Sequence, residues 1–423
     1  MKITVVGGGY VGLVSATCFA NLGHNVTIIE IDPKKVEQIN KGLPPIYEEG
    51  LKEILEKTIG KYLIAQQDYQ NLEETDLFLI CVGTPPSDDG SANLKYLSQA
   101  AESIGTAIEN SQKYQVVAVK STVPPGTTES VVLPGVLNFS GRTKDSIGFC
   151  MNPEFLREGR AIKDFKCPDR IVIGGNTQQA IDIVKAVYFE VSAPVITTSI
   201  KAAEMIKYAS NSFLAMKISF SNEIGNLCKK LGINVYEVMN GVGYDHRINP
   251  HFLNAGLGFG GSCFPKDVMA LIHLAEQNDE ESTLLKSVIS VNEKQPERIV
   301  SLLNERIGSL SNKRITVLGL AFKDNTDDVR DSRAIPVIKT LLENGADVVA
   351  FDPMATESMK KYYPNLIYKE NAGDALEGAD ACLVLTEWPE FSTLGPEFDR
   401  MKTKVIIEGR RILSLEGIEG VCW

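Results

Sequence analysis

Met1-Lys2-Ile3-Thr4-Val5-Val6-Gly7-Gly8-Gly9-Tyr10-Val11-Gly12 opens the chain and decides its fold. A short β-branched run leads straight into G-x-G-x-x-G, and a helical pattern follows through Leu22, with Gly23 as its stop. In that order of strand, turn and helix each glycine has a separate task. Gly7 permits the tight turn, Gly9 lets a pyrophosphate approach the backbone, and Gly12 allows helix and strand to pack closely, while the helix N-terminus faces the phosphates. Val26-Thr27-Ile28-Ile29-Glu30 reads as the second strand, ending in a carboxylate about 20 residues beyond the glycines, where a ribose 2′-hydroxyl binds. A 2′-phosphate would be repelled there, so the expected cofactor is NAD rather than NADP. A glycine cluster falling by chance in a hairpin would not bring strand, helix and acid into place together.

Further strand-like runs at 77–82, 116–119, 147–150 and 171–173 alternate with helical ones as far as about Ser199. Such alternation indicates a parallel sheet with helices on both faces. Gly83-Thr84-Pro85-Pro86 and Ser121-Thr122-Val123-Pro124-Pro125-Gly126 follow two of these strands at their carboxyl ends, where open α/β sheets bind ligands. From about Ile200 to Asn292 strand patterning is absent. That region begins with a helical stretch over 201–231, in which Met205, Ile206, Ala209, Phe213, Met216 and Phe220 recur at spacings of three and four until Gly232 ends it. Too long and apolar to stand alone in water, it is expected to form a spine between domains and a subunit interface. A second Rossmann-like unit starts at 313–322. Its helix spans about 332–343, its next strand ends in acid at Asp352, and two more strands lie in 381–388 and 405–410. Here the fingerprint is degenerate: Leu320 and Ala321 follow Gly319, so close cradling of a pyrophosphate is not expected, while Lys323 suits a nucleotide held differently. The expected fold class is α/β, with two Rossmann-like doubly wound domains joined by a long central helix and a helical middle domain. The expected boundaries are 1–199, 200–300 and 301–423.

With 43 Lys and Arg against 54 Asp and Glu, the 423-residue chain carries a net charge of −11, which argues against a nucleic-acid partner. No apolar run reaches the 18 or so residues that span a bilayer, and the first residues already form a strand, so no membrane association and a cytoplasmic location are expected. The eight cysteines show no C-x-x-C spacing, and the four histidines form no i,i+4 pair, so neither disulfides nor a metal is expected. One cysteine stands apart. Gly258-Phe259-Gly260-Gly261-Ser262-Cys263-Phe264-Pro265-Lys266-Asp267 places Cys263 after an open, glycine-rich turn with a cation and a carboxylate close by, which is the setting of a nucleophile. Lys207 and Asn211, four apart on the long helix, share one face. A solvated surface would account for them as well.

These segments, with Lys120-Ser121-Thr122-Val123-Pro124, Asn152-Pro153-Glu154-Phe155-Leu156-Arg157-Glu158-Gly159, Ala321-Phe322-Lys323 and Gly409-Arg410, occur in order over nearly the whole chain. Together they resemble the UDP-glucose/GDP-mannose dehydrogenase family, which also includes UDP-N-acetylhexosamine enzymes. The resemblance implies a four-electron oxidation at carbon 6 of a nucleotide sugar, from alcohol through aldehyde to acid, with two NAD used in succession. It makes Cys263 the nucleophile of a thiohemiacetal and thioester, Lys207 and Asn211 donors to the developing alkoxide, Glu154 and Thr122 the pair positioning water, and Asp267 an orienting or relaying carboxylate. It assigns Gly7, Gly9, Tyr10, Val11, Gly12, Glu30, Lys35, Thr84, Thr122, Glu158, Lys266 and Arg330 to the cofactor. To the nucleotide sugar it assigns Glu154, Phe155, Leu156, Lys207, Asn211, Arg247, Phe252, Leu253, Gly260, Cys263, Phe322, Lys323 and Arg410. Ordinary core packing would also account for the apolar members of that set. Ser262 before the cysteine and Phe264-Pro265-Lys266-Asp267 after it resemble the UDP-glucose branch, implying UDP-glucuronate as product, for polysaccharide biosynthesis. The rivals are oxidation of GDP-mannose or a UDP-N-acetylhexosamine, or a single-hydride 3-hydroxyacid dehydrogenase, which would need neither Cys263 nor a second nucleotide-binding unit. The family also suggests a homodimer on the long helix, with Arg247 of one subunit reaching the sugar nucleotide of the other.

Overall fold

The computed structural model describes residues 1–423. In its first sheet the strands are β1 (Lys2–Val6), β2 (Asn25–Ile29), β3 (Leu63–Gln66), β4 (Leu77–Ile80), β5 (Gln115–Val119), β6 (Ile147–Met151), β7 (Ile171–Gly175) and β8 (Val195–Thr198). Successive side chains of a strand face opposite sides of a sheet, and here both sides are covered. Leu77 and Leu79 pack with Ile3, Val5, Val26 and Ile28 on one face, while Phe78 and Ile80 pack with Val6, Ile29, Val117 and Val119 on the other. Burial on both faces is why these strands read as continuous apolar runs rather than alternating ones.

The strand order is β3-β2-β1-β4-β5-β6-β7-β8, so the chain direction of travel across the sheet reverses between β1 and β4. That switch point is where open α/β sheets take their ligands. One expectation needs correction: the sheet is not wholly parallel, since β6 and β7 pair antiparallel through Cys150 with Gly175 and Met151 with Gly174. Their connection contains only the six-residue helix Ala161–Lys166, and it turns the chain back beside β6 rather than carrying it through a parallel crossover. Strands β3 and β8 also escaped the sequence reading. Both lie at sheet edges with half or more of their residues accessible, so neither shows a long apolar run.

The second sheet holds β9 (Arg314–Leu318), β10 (Asp347–Phe351), β11 (Ile367–Tyr368), β12 (Ala381–Val384), β13 (Ile406–Glu408) and β14 (Glu419–Gly420). Its order, β11-β10-β9-β12-β13-β14, repeats that of the first six strands, and every pair is parallel. The two-residue strands β11 and β14 are too short to leave a pattern in the sequence. Between the sheets in sequence come the helices Ile200–Leu231, Val235–Gly243, Phe264–Gln277 and Thr283–Ile307. The chain divides into compact units Met1–Ser210 and Asn211–Trp423, the division falling inside the 32-residue helix Ile200–Leu231. Val235, Met239, Leu253 and Ile299 join the core beneath the second sheet, so the helices Val235–Gly243 and Thr283–Ile307 share that core.

The glycine turn after β1 is constrained in three ways. Gly7 adopts φ +105°, and a side chain there would meet the Cys81 carbonyl oxygen at 2.7 Å. At Gly12 a Cβ would stand 1.8 Å from the Gly7 carbonyl oxygen, whereas at Gly9 it would meet nothing within 4 Å. Gly12→Ala is therefore expected to destabilise the first unit by about 2 kcal/mol or more through forced backbone displacement. Gly9→Ala should stay within roughly 0.5 kcal/mol of wild type. Chemical denaturation of the two variants checks the contrast.

Candidate active site

At the carboxyl end of β1 the helix Tyr10–Asn21 begins with Gly9 as N-cap and no side chain bonded to its first N–H groups. Such an uncapped N-terminus, with space over Gly9, accommodates a pyrophosphate. Glu30 follows β2 directly and is buried; its Oε2 accepts from the Gly8 N–H and its Oε1 from the Asp32 N–H, each at 3.0 Å. The carboxylate is thus fixed beside the glycine turn, as a ribose contact requires. After β4, the Thr84 hydroxyl donates to the Thr122 carbonyl at 2.9 Å, joining the two loops at the switch point. Lys35 lies half-buried on the helix Pro33–Asn40. Uncapped helix, open glycine and fixed acid together fit NAD.

The corresponding place in the second sheet is closed. Asp352, which follows β10 as Glu30 follows β2, accepts through Oδ2 from the N–H groups of Leu320 (2.6 Å) and Ala321 (3.0 Å) and from Trp388 Nε1 (3.0 Å). The N–H groups that would cradle a pyrophosphate are already taken.

In the first unit, Lys207 and Glu154 form a buried ion pair, with Lys207 Nζ 3.0 Å from Glu154 Oε1. The other carboxylate oxygen accepts from the Leu156 N–H at 2.5 Å, which ties the acid to the loop after β6. The Phe155 ring has two cations near it, its centroid 5.3 Å from Lys207 Nζ and 3.9 Å from the Arg170 guanidinium. Two long charged side chains are rarely buried unless paired, so this is a built arrangement and not a solvated helix face. Glu158, predicted at the cofactor, adjoins the Gly159 N–H, which donates to Glu48 Oε2 at 2.7 Å.

In the second unit, Asn211 Nδ2 donates to Asp267 Oδ2 at 2.6 Å, and Lys266 Nζ stands 2.6 Å from Asp267 Oδ1. Asp267 is 1% exposed, and these two donors occupy both of its oxygens. Cys263, exposed, is the N-cap of the helix Phe264–Gln277, with Pro265 in the first turn. A helix start favours an anion, and Lys266 adds positive charge. Ser262 Oγ lies 3.7 Å from the sulfur. The buried thiols differ: desolvation pushes Cys18, Cys81 and Cys150 up to about 12 and Cys422 up to about 11, holding them neutral.

The predicted sugar-nucleotide residues of this unit converge in part. The Phe322 ring covers Gly261, where a Cβ would come within 2.7 Å of it, and Lys323 Nζ stands 5.5 Å from the same ring. A Cβ at Gly260 would approach the Asp331 carbonyl oxygen to 2.3 Å, so both glycines are sterically required. Arg410 donates to the Gly258 carbonyl at 2.5 Å, tying β13's end to the cysteine segment. Leu253 is buried in the core, whereas Phe252 adopts φ +65°, a strained value for a bulky residue. Arg247 is exposed and pairs with Asp245; Arg330 pairs with Asp328 at 2.6 Å.

Four buried residues were given no role by the sequence reading. Glu48 accepts from Tyr10 Oη, Gly159 N–H and Ala161 N–H, binding the start of the first helix to the Glu158 loop. Lys120 donates to Asn152 and Tyr188. Lys217, its ammonium pulled below the usual lysine value by burial, donates to the Ile248 and Asn249 carbonyls at 3.0 Å and anchors the Arg247 loop. Asn292 bonds Phe259 through both N–H and carbonyl. Each acts on a segment distant in sequence, and only the Lys120 segment stood out as a motif.

Residues 1–192 match the NAD binding domain of the UDP-glucose/GDP-mannose dehydrogenase family, 201–294 its central domain and 316–415 its UDP binding domain. The chain is 46% identical over 426 residues to the UDP-glucose 6-dehydrogenase AglM of Haloferax volcanii, covering 99% of each chain. It is 43% identical over 425 residues to the UDP-glucose 6-dehydrogenase TuaD of Bacillus subtilis, covering 99% of this chain and 91% of the relative. A solved UDP-glucose dehydrogenase from the hyperthermophilic archaeon Pyrobaculum islandicum superposes with a TM-score of 0.94 at 43% identity, over 100% of this chain and 98% of that one. With an NAD-binding first domain, a UDP-binding last domain and full-length relatives of this similarity, the chain belongs to the UDP-glucose/GDP-mannose dehydrogenase family.

Proposed function

We propose that the protein is a UDP-glucose 6-dehydrogenase, oxidising carbon 6 of the sugar to a carboxylate with two molecules of NAD used in succession. The observation that carries the mechanism is the exposed Cys263 at a helix start, with buried Asp267 one turn on holding both Lys266 and Asn211. Full-length relatives bearing that activity support UDP-glucose as substrate, as does the Ser262 and Phe264-to-Asp267 surround of the cysteine. The proposed division of labour follows the segments 1–199 for NAD, 200–300 for the central helices and 301–423 for the UDP moiety. The family domain matches support it.

NAD, when bound, accepts a hydride from carbon 6 at each oxidation. Lys207 and Asn211, one turn apart on their helix, donate to the oxygen of carbon 6 as its proton passes to water, stabilising the alkoxide from which hydride departs. The aldehyde has no comparable electron push. Cys263 therefore adds its thiolate to the carbonyl carbon, the π electrons moving to oxygen, and loss of hydride from that thiohemiacetal leaves a thioester. Water held by Glu154 and Thr122 attacks the thioester; the C–S bond breaks, and acid and thiol are released. Asp267 orients this donor set through Asn211 and Lys266.

A dimer completes the reading. Phe213, Phe220, Leu227 and Leu231 are 58%, 49%, 54% and 62% exposed, forming an apolar stripe along the long helix. Such a stripe in water favours burial against a second copy. The loop carrying Arg247, exposed and anchored by Lys217, is proposed to reach the partner's UDP-glucose.

Wild-type enzyme should form two NADH per UDP-glucose consumed, with little turnover of GDP-mannose or UDP-N-acetylhexosamines. Cys263→Ala should lose steady-state acid formation by at least about 1000-fold while still binding NAD and UDP-glucose. Near-normal acid production by that variant would remove Cys263 as nucleophile, and one NADH per sugar in the wild type would favour a single-hydride enzyme. Like charges at Glu30 and a 2′-phosphate cost several kcal/mol, so efficiency with NADP should fall by about 100-fold or more relative to NAD. Finally, Phe220→Glu with Leu227→Glu should sediment as a monomer and turn over poorly; a fully active wild-type monomer would refute the shared site.

A further inference from the structure

The segment from Ala255 to Gly261 has no helix or strand, yet Ala255, Leu257 and Phe259 are 2%, 0% and 4% exposed. Irregular backbone buried in this way must find partners for its peptide groups outside any ladder. Side chains supply several of them. The Gly256 N–H donates to Asn222 Oδ1 at 2.7 Å, and the Gly256 carbonyl accepts from Gln295 Nε2 at 2.7 Å. Nearest the cysteine stands Asn292, 1% exposed on the helix Thr283–Ile307, where Oδ1 accepts from the Phe259 N–H at 2.7 Å and Nδ2 donates to the Phe259 carbonyl at 3.0 Å.

This pair of hydrogen bonds to one residue is the pairing that a neighbouring strand would make. The primary amide has one donor side and one acceptor side, and both are used in the orientation that satisfies the backbone. Access to it depends on Gly258, at φ +93°, where a Cβ would stand 2.2 Å from Asn292 Oδ1. Immediately beyond Phe259 come Gly260 and Gly261, packed against Asp331 and Phe322, then Cys263 at the helix start.

We propose that Asn292 is a positioning residue for the reaction: it fixes the backbone at Phe259 and through it the placement of Gly260 and the Cys263 sulfur. This rests on the reading of Cys263 as nucleophile. It adds that the thiol's geometry is set from a helix outside the motif that contains it. A carboxylate at position 292 would keep the volume and the acceptor but oppose the Phe259 carbonyl, so the two hydrogen bonds could not coexist.

The test uses the full-length enzyme. Asn292→Asp is expected to bind NAD as wild type does, to lose at least ten-fold in kcat with a smaller change in KM for UDP-glucose, and to change the rate of Cys263 alkylation by iodoacetamide, followed by mass spectrometry, at least three-fold. Asn292→Ser, neutral and placing no charge against the Phe259 carbonyl, should lose less than the aspartate variant and serves if that variant does not fold. In wild-type enzyme the Phe259 amide should exchange slowly with deuterium. Rapid exchange there, or wild-type kcat and alkylation rate in either variant, overturns the proposal. Cys263→Ala run in parallel separates the two claims: continued acid formation would refute the nucleophile, and with it a role for Asn292 in the reaction, while the Phe259 exchange and Cys263 alkylation measurements still report separately whether Asn292 fixes the loop.

Discussion

The backbone N–H groups that follow the first strand of each sheet need an acceptor, and in each sheet the carboxylate after the second strand supplies one. Leaving a buried donor unmade costs on the order of 1–3 kcal/mol, so this pairing constrains what the turn can bind. In the first sheet Glu30 takes only the Gly8 N–H from the turn and leaves the helix start behind Gly9 uncapped. In the second, Asp352 takes two turn N–H groups and the Trp388 indole. Sheets of the same order thus differ at the turn: one leaves its helix start open, whereas the other has its turn donors already taken.

Buried charge in the site region is either paired with an opposite charge or held by neutral hydrogen-bond partners, as Glu30, Lys120 and Lys217 are. Lys207 is matched by Glu154, and Asp267 by Lys266 with Asn211 adding a neutral donor. Such pairs are weak sources of stability because desolvation offsets their attraction, but removing one member strands the other. Their value here is geometric. Each donor proposed to meet the oxygen on carbon 6 has its resting position defined by a carboxylate, while Cys263 remains accessible and the desolvated thiols elsewhere are held neutral.

The segment carrying Cys263 shows the same economy of partners in another form. It cannot be a helix or strand, because Gly258 and Gly261 adopt positive φ and Phe322 and Asp331 press against it. Amide side chains from two helices and Arg410 do the work of a ladder. A loop secured in this way fixes the backbone ahead of Cys263 while leaving the cysteine itself exposed.

Much of this was legible in the sequence. The glycine turn, the acid at Glu30, the long helix and the second degenerate unit followed from periodicity and turn chemistry, since each depends on residues close together in the chain. The motif around Cys263 and the resemblance it belongs to identified the family before any coordinates. Edge strands β3 and β8 and the antiparallel β7 were not legible: the edges bury too little to leave an apolar run, and direction is set by where a connection turns rather than by the strand's own residues. Tertiary structure alone decided that Glu154 is Lys207's counter-ion, that Asp352 closes the second turn, and that Asn292 holds Phe259. Each of these joins groups 30 or more residues apart, and hydrogen bonds of a few ångströms follow from how the sheets and helices pack, which no local pattern encodes.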